Sequence, residues 1–412
     1  MNFYLEKYGF CPPYITNTPS SKVGTIIVIP CFNEPDLVRS LQSLKHSTAP
    51  NSEVEVIVVL NSSEIAQDDV LAQNQSTQEE FDAFINEDIP SWISFHLIHS
   101  PNLPKKHAGV GLARKIGMDE AVSRFHQLNK DGIIVCFDAD SLCERNYLVE
   151  IEKHFEEHPK SPGCSIHFEH PTDGNEFDSN IYEGIINYEL HLRYYNQCFR
   201  FCELPYAFHT VGSSMAVRSS AYQKQGGMNK RKAGEDFYFL HKIIALGNFT
   251  ELKSSMVIPS PRISDRVPFG TGKAIGDWVE TGEKEYYTYS FEIFRALKYF
   301  LSFIPEMYKG DFNTVSDQIN PNFKLYLENI GIENKLKELK SNTKDFKGFQ
   351  KRFFFWFDAF QILKLVHYMQ ENGFQRQSIN EAVNLLFEES LSIKVSSSSK
   401  DQLLALREIE KN

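Results

Sequence analysis

Two aspartates, Asp138 and Asp140, follow directly on the apolar run IIVCF at 133–137. Carboxylates one residue apart in extended chain face the same way. Unpaired, they repel, and each raises the pKa of the other. A hard divalent cation, Mg2+ or Mn2+, removes that conflict, because oxygen donors suit it. The plainer alternative is an exposed acidic turn that caps a helix starting at Tyr147. A second acidic pair, Glu235-Asp236, follows Gly234 and opens a helix, where the dipole stabilises a carboxylate. Beside a bound substrate such a group could take the proton of an attacking hydroxyl. Otherwise it does no more than cap the helix. Asn33 and Glu34 stand at the exit of the first apolar run, in PCFNEP. A tight exit there leaves backbone and side-chain groups free to bind a ligand, or makes a simple cap turn.

Something must hold these residues in place, and the first half of the chain alternates strands with helices. The runs 24–30 (GTIIVIP), 54–60 (VEVIVVL), 93–99, 133–137 and 164–168 read as strands, the first two buried on both faces. Helices are expected after Pro35, over 105–128 and over 147–155. Between the second and third strands, 62–90 reads as polar and loop-rich. This β-α-β-α order implies a mostly parallel sheet with helices on both faces, which places the ends of the strands at one ligand-binding edge. Further on, 180–202 is expected as a long aromatic-rich helix and 207–217 as extended chain. Short helices follow at 220–225 and 236–246, then a strand at 249–259 and a Gly-, Pro- and Arg-rich loop at 260–276. From 281 onward the pattern is helical, with apolar stripes over 289–303 and 354–369. Ser396 to Ser399 form a small linker before a last helix. The sequence therefore divides into a segment 1–22, a core 23–280 and a helical region 281–412.

The chain has 412 residues, ordinary globular proportions (42% hydrophobic, 24% charged) and a net charge of −11. That charge argues against a nucleic-acid binder, which needs a basic face to displace counterions. Seven cysteines without a CxxC pair read as reduced thiols of a cytoplasmic protein. The most apolar stretches are broken by charges, so no membrane-spanning helix is expected. No signal pattern opens the chain.

Taken in order, VIPCFNEPDLVRSLQSL, CFDADS and VGSSMAVRSSAYQKQGGMNKRKAGEDFYFLHKI resemble the inverting family 2 glycosyltransferases of the GT-A type, over residues 23–258. The resemblance implies a GT-A, Rossmann-like α/β core with a helical C-terminal extension. It also implies a metal-dependent transfer of one sugar from a nucleotide-diphosphate sugar to an acceptor hydroxyl, with inversion. Pro30, Asn33, Glu34 and Asn61 would surround the base and ribose, with Asn61 where the family often has Asp. Gly109, Gly111 and Arg114 would lie beside the nucleotide, followed by Lys115 where the family commonly has Asn. Asp138 and Asp140 would hold the metal and the ribose. Gly212, Ser213 and Ser214 would line the sugar and acceptor. Asp236 would be the base, with Glu235 in support. One metal site and one base on opposite sides of the anomeric carbon would give in-line displacement.

The QxxRW box of processive members is absent, which points to single addition rather than polymer synthesis. Related enzymes often place a further metal ligand, commonly His, after the last core strand, and the loop 261–273 has none. Asp265 is the expected substitute, with Arg262, Arg266 or Lys273 gripping the diphosphate and Gly270 and Gly272 letting the loop close. A surface turn with solvated charges is the alternative. His209 and His241 read as structural hydrogen bonders, while His107 sits in the nucleotide loop. The run FFFWF at 353–357, preceded by Lys347, Lys351 and Arg352, could dock at the inner face of a membrane and reach a lipid-linked acceptor, or pack as a buried helix. The acceptor could equally be a glycan or a small molecule. Other readings are a retaining GT-A enzyme acting on a small acid, a nucleotide-sugar-binding scaffold without turnover, and a nucleotidyltransferase, against which the exit CFNEPD argues. No pattern addresses oligomeric state.

Overall fold

A computed structural model describes every residue except Met1, Cys11, Pro12, Pro268, Val395 and Ser397. Pro268 of the expected loop, the linker residue Ser397 and the thiol of Cys11 therefore lie outside the described residues. The chain forms two compact units that interleave in sequence. One is Met1–Tyr182, His209–Asp277 and Glu410–Asn412, and the other is Glu183–Phe208 and Trp278–Ile409.

The first unit holds the sheet. After helix α1 (Phe3–Tyr8) come β1 (Val23–Cys31), α2 (Leu37–Lys45), β2 (Glu53–Ser63), α3 (Asp68–Phe84), β3 (Ile93–Leu103), α4 (Val110–Gln127) and β4 (Ile133–Cys136). Then follow β5 (Leu142–Cys143), α5 (Tyr147–Glu157) and β6 (Gly163–Phe168). Helix α6 (Ser179–Phe201) leads into the second unit; β7 (Met215–Arg218), α7 (Ser219–Lys224), α8 (Glu235–Ile244), β8 (Thr250–Ile258) and α9 (Thr271–Thr281) complete the succession. The strand order is β3-β2-β1-β4-β7-β6-β8-β5. Strands β3, β2, β1 and β4 run parallel, β7 is antiparallel to both its neighbours, β6 and β8 are parallel, and β5 is antiparallel. The mostly parallel α/β sheet is thus present. Its centre is dry: Ile26, Ile27, Val28 and Ile29 are fully buried, as expected of β-branched runs covered on both faces.

Register explains why distant residues meet. Cys31 pairs with Leu60, and Val28 with Cys136. The turns after β1, β2 and β4 therefore leave the sheet at the same carboxyl edge. Antiparallel β7 starts there too, because Met215 pairs with Cys136, so Gly212–Ser214 enter beside Asp138.

Several expectations need correction. The stretch 62–90 contains the 17-residue helix α3 rather than loop. Its buried residues Asn74, Thr77, Phe81 and Phe84 do recur at helical spacing, but half are polar, so no apolar stripe announces them. Helix α4 starts at Val110, not at Lys105. Of 207–217 only the last three residues are strand, at the start of Met215–Arg218. The loop 260–276 gives way to α9 at Thr271, which puts Lys273 on a helix. Asp138 and Asp140 sit on a turn closed by the Ser141 N–H donating to the Asp138 carbonyl at 3.1 Å, so the extended-chain argument for a shared face does not hold.

The second unit is helical, beginning after α6 with α10 (Phe291–Ser302). The expected single helix over 354–369 is two, Phe346–Trp356 and Ala359–Glu371, because Asp358 caps the second by accepting from the Gln361 N–H. Phe353 and Phe357 are fully buried, while Phe355 is exposed. Arg193 and Arg407 both bind the buried carboxylate of Glu189 on α6. No helix among the described residues is long and apolar enough to cross a membrane.

Candidate active site

The carboxyl edge carries two arginine–carboxylate clusters. In the first, Glu34 is fully buried just after β1. Arg262, from the loop after β8, forks onto it: Nη1 donates to Oε1 at 2.9 Å and Nη2 to Oε2. Arg262 also reaches Asp140, with Nε 2.9 Å from Oδ2. Arg266 donates to Glu34 Oε2 at 2.8 Å and to the Phe32 carbonyl at 3.2 Å, and lies 3.4 Å from Asp140 Oδ2. Burial alone would raise the pKa of Glu34, but the bond from Arg262 and the two guanidinium charges outweigh it and hold the carboxyl below its usual value. For Asp140 burial wins over Arg262, and its pKa is raised.

The second cluster centres on Arg114, which is 2% exposed on α4. Its Nη2 binds Asp138 Oδ1 and its Nη1 binds Glu235 Oε1. Bidentate sharing of this kind suits a planar guanidinium and not a lysine. One cation here faces Asp138, Glu235 and Asp236. Burial accordingly pushes Glu235 up to about 7 and raises Asp236, against the opposing pull of Arg114. Asp236 also accepts from the backbone N–H of Gly212. Two glycines permit this packing. A Cβ on Gly212 would collide with the Arg114 guanidinium, and one on Gly111 with the Arg231 carbonyl.

The base-side turn is braced from α3. The Asn33 N–H donates to Asn74 Oδ1 at 3.0 Å, and Asn74 Nδ2 donates to the Asn61 carbonyl at 3.0 Å. Thr77 donates to the Glu34 carbonyl at 2.7 Å. Asn33 itself takes φ 50°, a left-handed conformation that Asn tolerates better than most residues. Asn74 and Thr77 were not among the residues singled out from sequence, because the helix that carries them was not expected.

Pro30 lies half-buried at the end of β1, and Ser213 is buried at the start of the β7 segment. Asn61 is buried at the end of β2. Gly109 packs against the backbone of Lys232. Lys115 is buried, bonded to Asp119 and to the Tyr4 hydroxyl, and so ties the N-terminal segment to α4. His209 Nε2 lies 3.1 Å from both Glu410 oxygens.

Two expected residues stand apart from the clusters. Lys273 pairs along α9 with Asp277 at 2.6 Å, one helical turn away. Asp265 is exposed, and among the described residues no group of three or more His, Cys, Asp or Glu could hold a metal. Asp138 and Asp140 are left as oxygen donors, each with one carboxylate oxygen outside the hydrogen bonds and ion pairs above. That donor set fits a cation such as Mg2+ or Mn2+, which commonly takes one or two carboxylates and fills its shell with substrate phosphates and water.

Residues 26–225, just under half of the chain, match glycosyl transferase family 2. This segment belongs to that family. The match runs from within β1 through α7 and stops short of Glu235 and Asp236 on α8. Among solved structures, S. aureus TarS 1–349 in complex with UDP-GlcNAc is 15% identical, with a TM-score of 0.38 over 59% of this chain and 60% of that one. Full S. aureus TarS is 14% identical, with a TM-score of 0.35 over 74% and 47%. The mannosyltransferase PcManGT from Pyrobaculum calidifontis, in complex with GDP-Man and Mn2+, is 15% identical, with a TM-score of 0.36 over 99% and 93%. No curated protein matches. The family assignment rests on the domain match, and the sheet order agrees with the GT-A architecture that the resemblance implied.

Proposed function

We propose that the chain transfers a single sugar from a nucleotide-diphosphate sugar to an acceptor hydroxyl, with inversion and with the help of Mn2+ or Mg2+. The observation that carries the proposal is the Arg114 bridge, in which one buried guanidinium holds both the half-exposed Asp138 of the β4 turn and the buried Glu235 of α8. Glycosyl donors named with neighbouring structures, UDP-GlcNAc and GDP-Man, belong to those proteins and illustrate the donor class.

Each group has a task in this reading. The turn Pro30–Glu34, with Asn61, cradles base and ribose. Asp138 and Asp140 hold the cation, which supplies charge neutralisation for the departing diphosphate. Arg262 and Arg266 release Asp140 and turn to the phosphates, for which guanidinium is well shaped. Asp236, raised in pKa and oriented by the Gly212 N–H, accepts the proton of the acceptor hydroxyl. Glu235 stays on Arg114 and keeps α8 in register with the sheet edge. The free thiols Cys31, Cys136, Cys143, Cys164, Cys198 and Cys202 support a reducing compartment, the cytoplasm.

A thermal-shift panel of nucleotide sugars with and without Mn2+ tests the donor, since a ligand of the native state raises its melting temperature by mass action. One donor should stand out and depend on the cation. The product's anomeric configuration by NMR tests inversion, and retained configuration would remove Asp236 as base. A flat panel would leave only a fold without this activity.

A further inference from the structure

The first cluster at the carboxyl edge is balanced in charge from within. Its carboxylates in close contact are Glu34 and Asp140, and its cations are Arg262 and Arg266. Asp36 lies 3.7 Å from Arg262 Nη1 but is exposed, and water screens it. The guanidinium contacts to Asp140 all fall on Oδ2. That oxygen accepts from Arg262 Nε at 2.9 Å and lies 2.8 Å from Arg262 Nη2 and 3.4 Å from Arg266 Nη2. The other cluster is not balanced in this way, since Arg114 alone faces Asp138, Glu235 and Asp236. Arg262 is anchored by its fork on the fully buried Glu34, which Arg266 also holds. The stretch 259–265, from which Arg262 projects, is in neither a helix nor a strand. Its contact with Asp140 can therefore break without dismantling an element or leaving Glu34 without a cation.

We infer that Arg262 is an internal counter-cation that keeps Mn2+ or Mg2+ off Asp140 until a diphosphate draws it away, so that the cation enters with the donor and not ahead of it. The inference rests on the proposed cation and donor and adds how their binding is controlled. A divalent ion on Asp140, beside Arg262 and Arg266, would set two guanidiniums and two further positive charges against two carboxylates. Like charges at such range repel strongly where water is partly excluded. The diphosphate of a sugar nucleotide brings the negative charge that restores the balance, and guanidinium suits its oxygens. Cation and diphosphate then raise each other's affinity by one and the same factor.

The test uses the full chain and Mn2+ alone, with free Mn2+ read by its electron paramagnetic resonance signal. The parent should bind Mn2+ weakly. Arg262→Gln should bind it roughly tenfold or more tightly, because a charge-assisted hydrogen bond no longer has to be broken first. Arg262→Lys keeps a charge on Glu34 without the Nε donor and should show a smaller gain. A cooperative melting transition shows that each variant is folded. Lys273→Gln removes a neighbouring charge that pairs with Asp277, and should bind Mn2+ as the parent does. With UDP, GDP, ADP, CDP and dTDP as probes under saturating Mn2+, Arg262→Gln should bind the preferred nucleotide more weakly than the parent. Equal Mn2+ affinity in the parent and both Arg262 variants would overturn the inference. An equal gain in Lys273→Gln would overturn it too, by tracing the effect to net charge and not to the contact. So would undiminished nucleotide affinity in Arg262→Gln. No binding of any of these nucleotides by the parent, with the Mn2+ gain present, would count against the transfer reaction and keep Arg262 as the cation's competitor.

Discussion

Arg114 Nη2 holds Asp138, and Arg114 Nη1 holds Glu235, across 121 residues of sequence between the arginine and the glutamate. The guanidinium is shielded from water and lies against Gly212. It is therefore an internal link between the turn at Asp138 and helix α8.

Arg114→Gln should cost about 3–5 kcal/mol in stability, because it leaves the buried carboxyl of Glu235 without its cation. It should also lower kcat/KM by roughly ten- to hundredfold through disordered ligand orientation. Arg114→Lys keeps the charge but not the fork, and should recover stability more than activity. Urea unfolding and initial rates measure the two effects. Wild-type rates in Arg114→Gln would show that the bridge does not organise the site.

The Glu235–Asp236 pair sets the pH response. Burial raises both carboxyls, Glu235 to about 7. Activity that needs ionised Asp236 should therefore rise with pH above the ordinary carboxylate range of about 4, because burial raises that carboxyl. The sign for stability is the reverse. A raised folded pKa favours the protonated native state, so this contribution is complete below about 4 and is lost as pH rises toward 7. Glu235→Gln should flatten that part of the stability curve. A rate profile whose acidic limb lies at 4 would contradict the assignment.

Arg266→Ala should weaken nucleotide-sugar binding by roughly tenfold or more, the worth of a charge-assisted hydrogen bond. Calorimetric titration with donor and Mn2+ reads it directly. Unchanged affinity would leave Arg266 as a structural partner of Glu34 only.

Asn74→Ala should remove the clasp between the β1 and β2 exits at a cost of about 1–3 kcal/mol, since it strands the Asn33 N–H and the Asn61 carbonyl. KM for the donor should rise while the acidic limb of the rate profile stays in place. An unchanged KM would mean the turn holds its shape without α3.

Much of this protein was legible in its residues alone. Runs such as TIIVI and VIVVL are β-branched and apolar throughout, and only a strand covered on both faces accommodates them, so β1, β2 and β4 and the parallel edge followed from local pattern. Asp138, Asp140, Glu34 and Asp236 could be singled out as candidates, because each stands shortly after a buried strand or in the first turn of a helix. Which carboxylate each arginine meets was decided only by the tertiary structure. Arg114, Arg262 and Arg266 have side chains long enough to reach several acids, and register between strands far apart in sequence selects among them. Helix α3 was hidden for a related reason. Its buried face makes hydrogen bonds through Asn74 and Thr77 instead of burying an apolar stripe, and such bonds have meaning only once the turns they satisfy are in place.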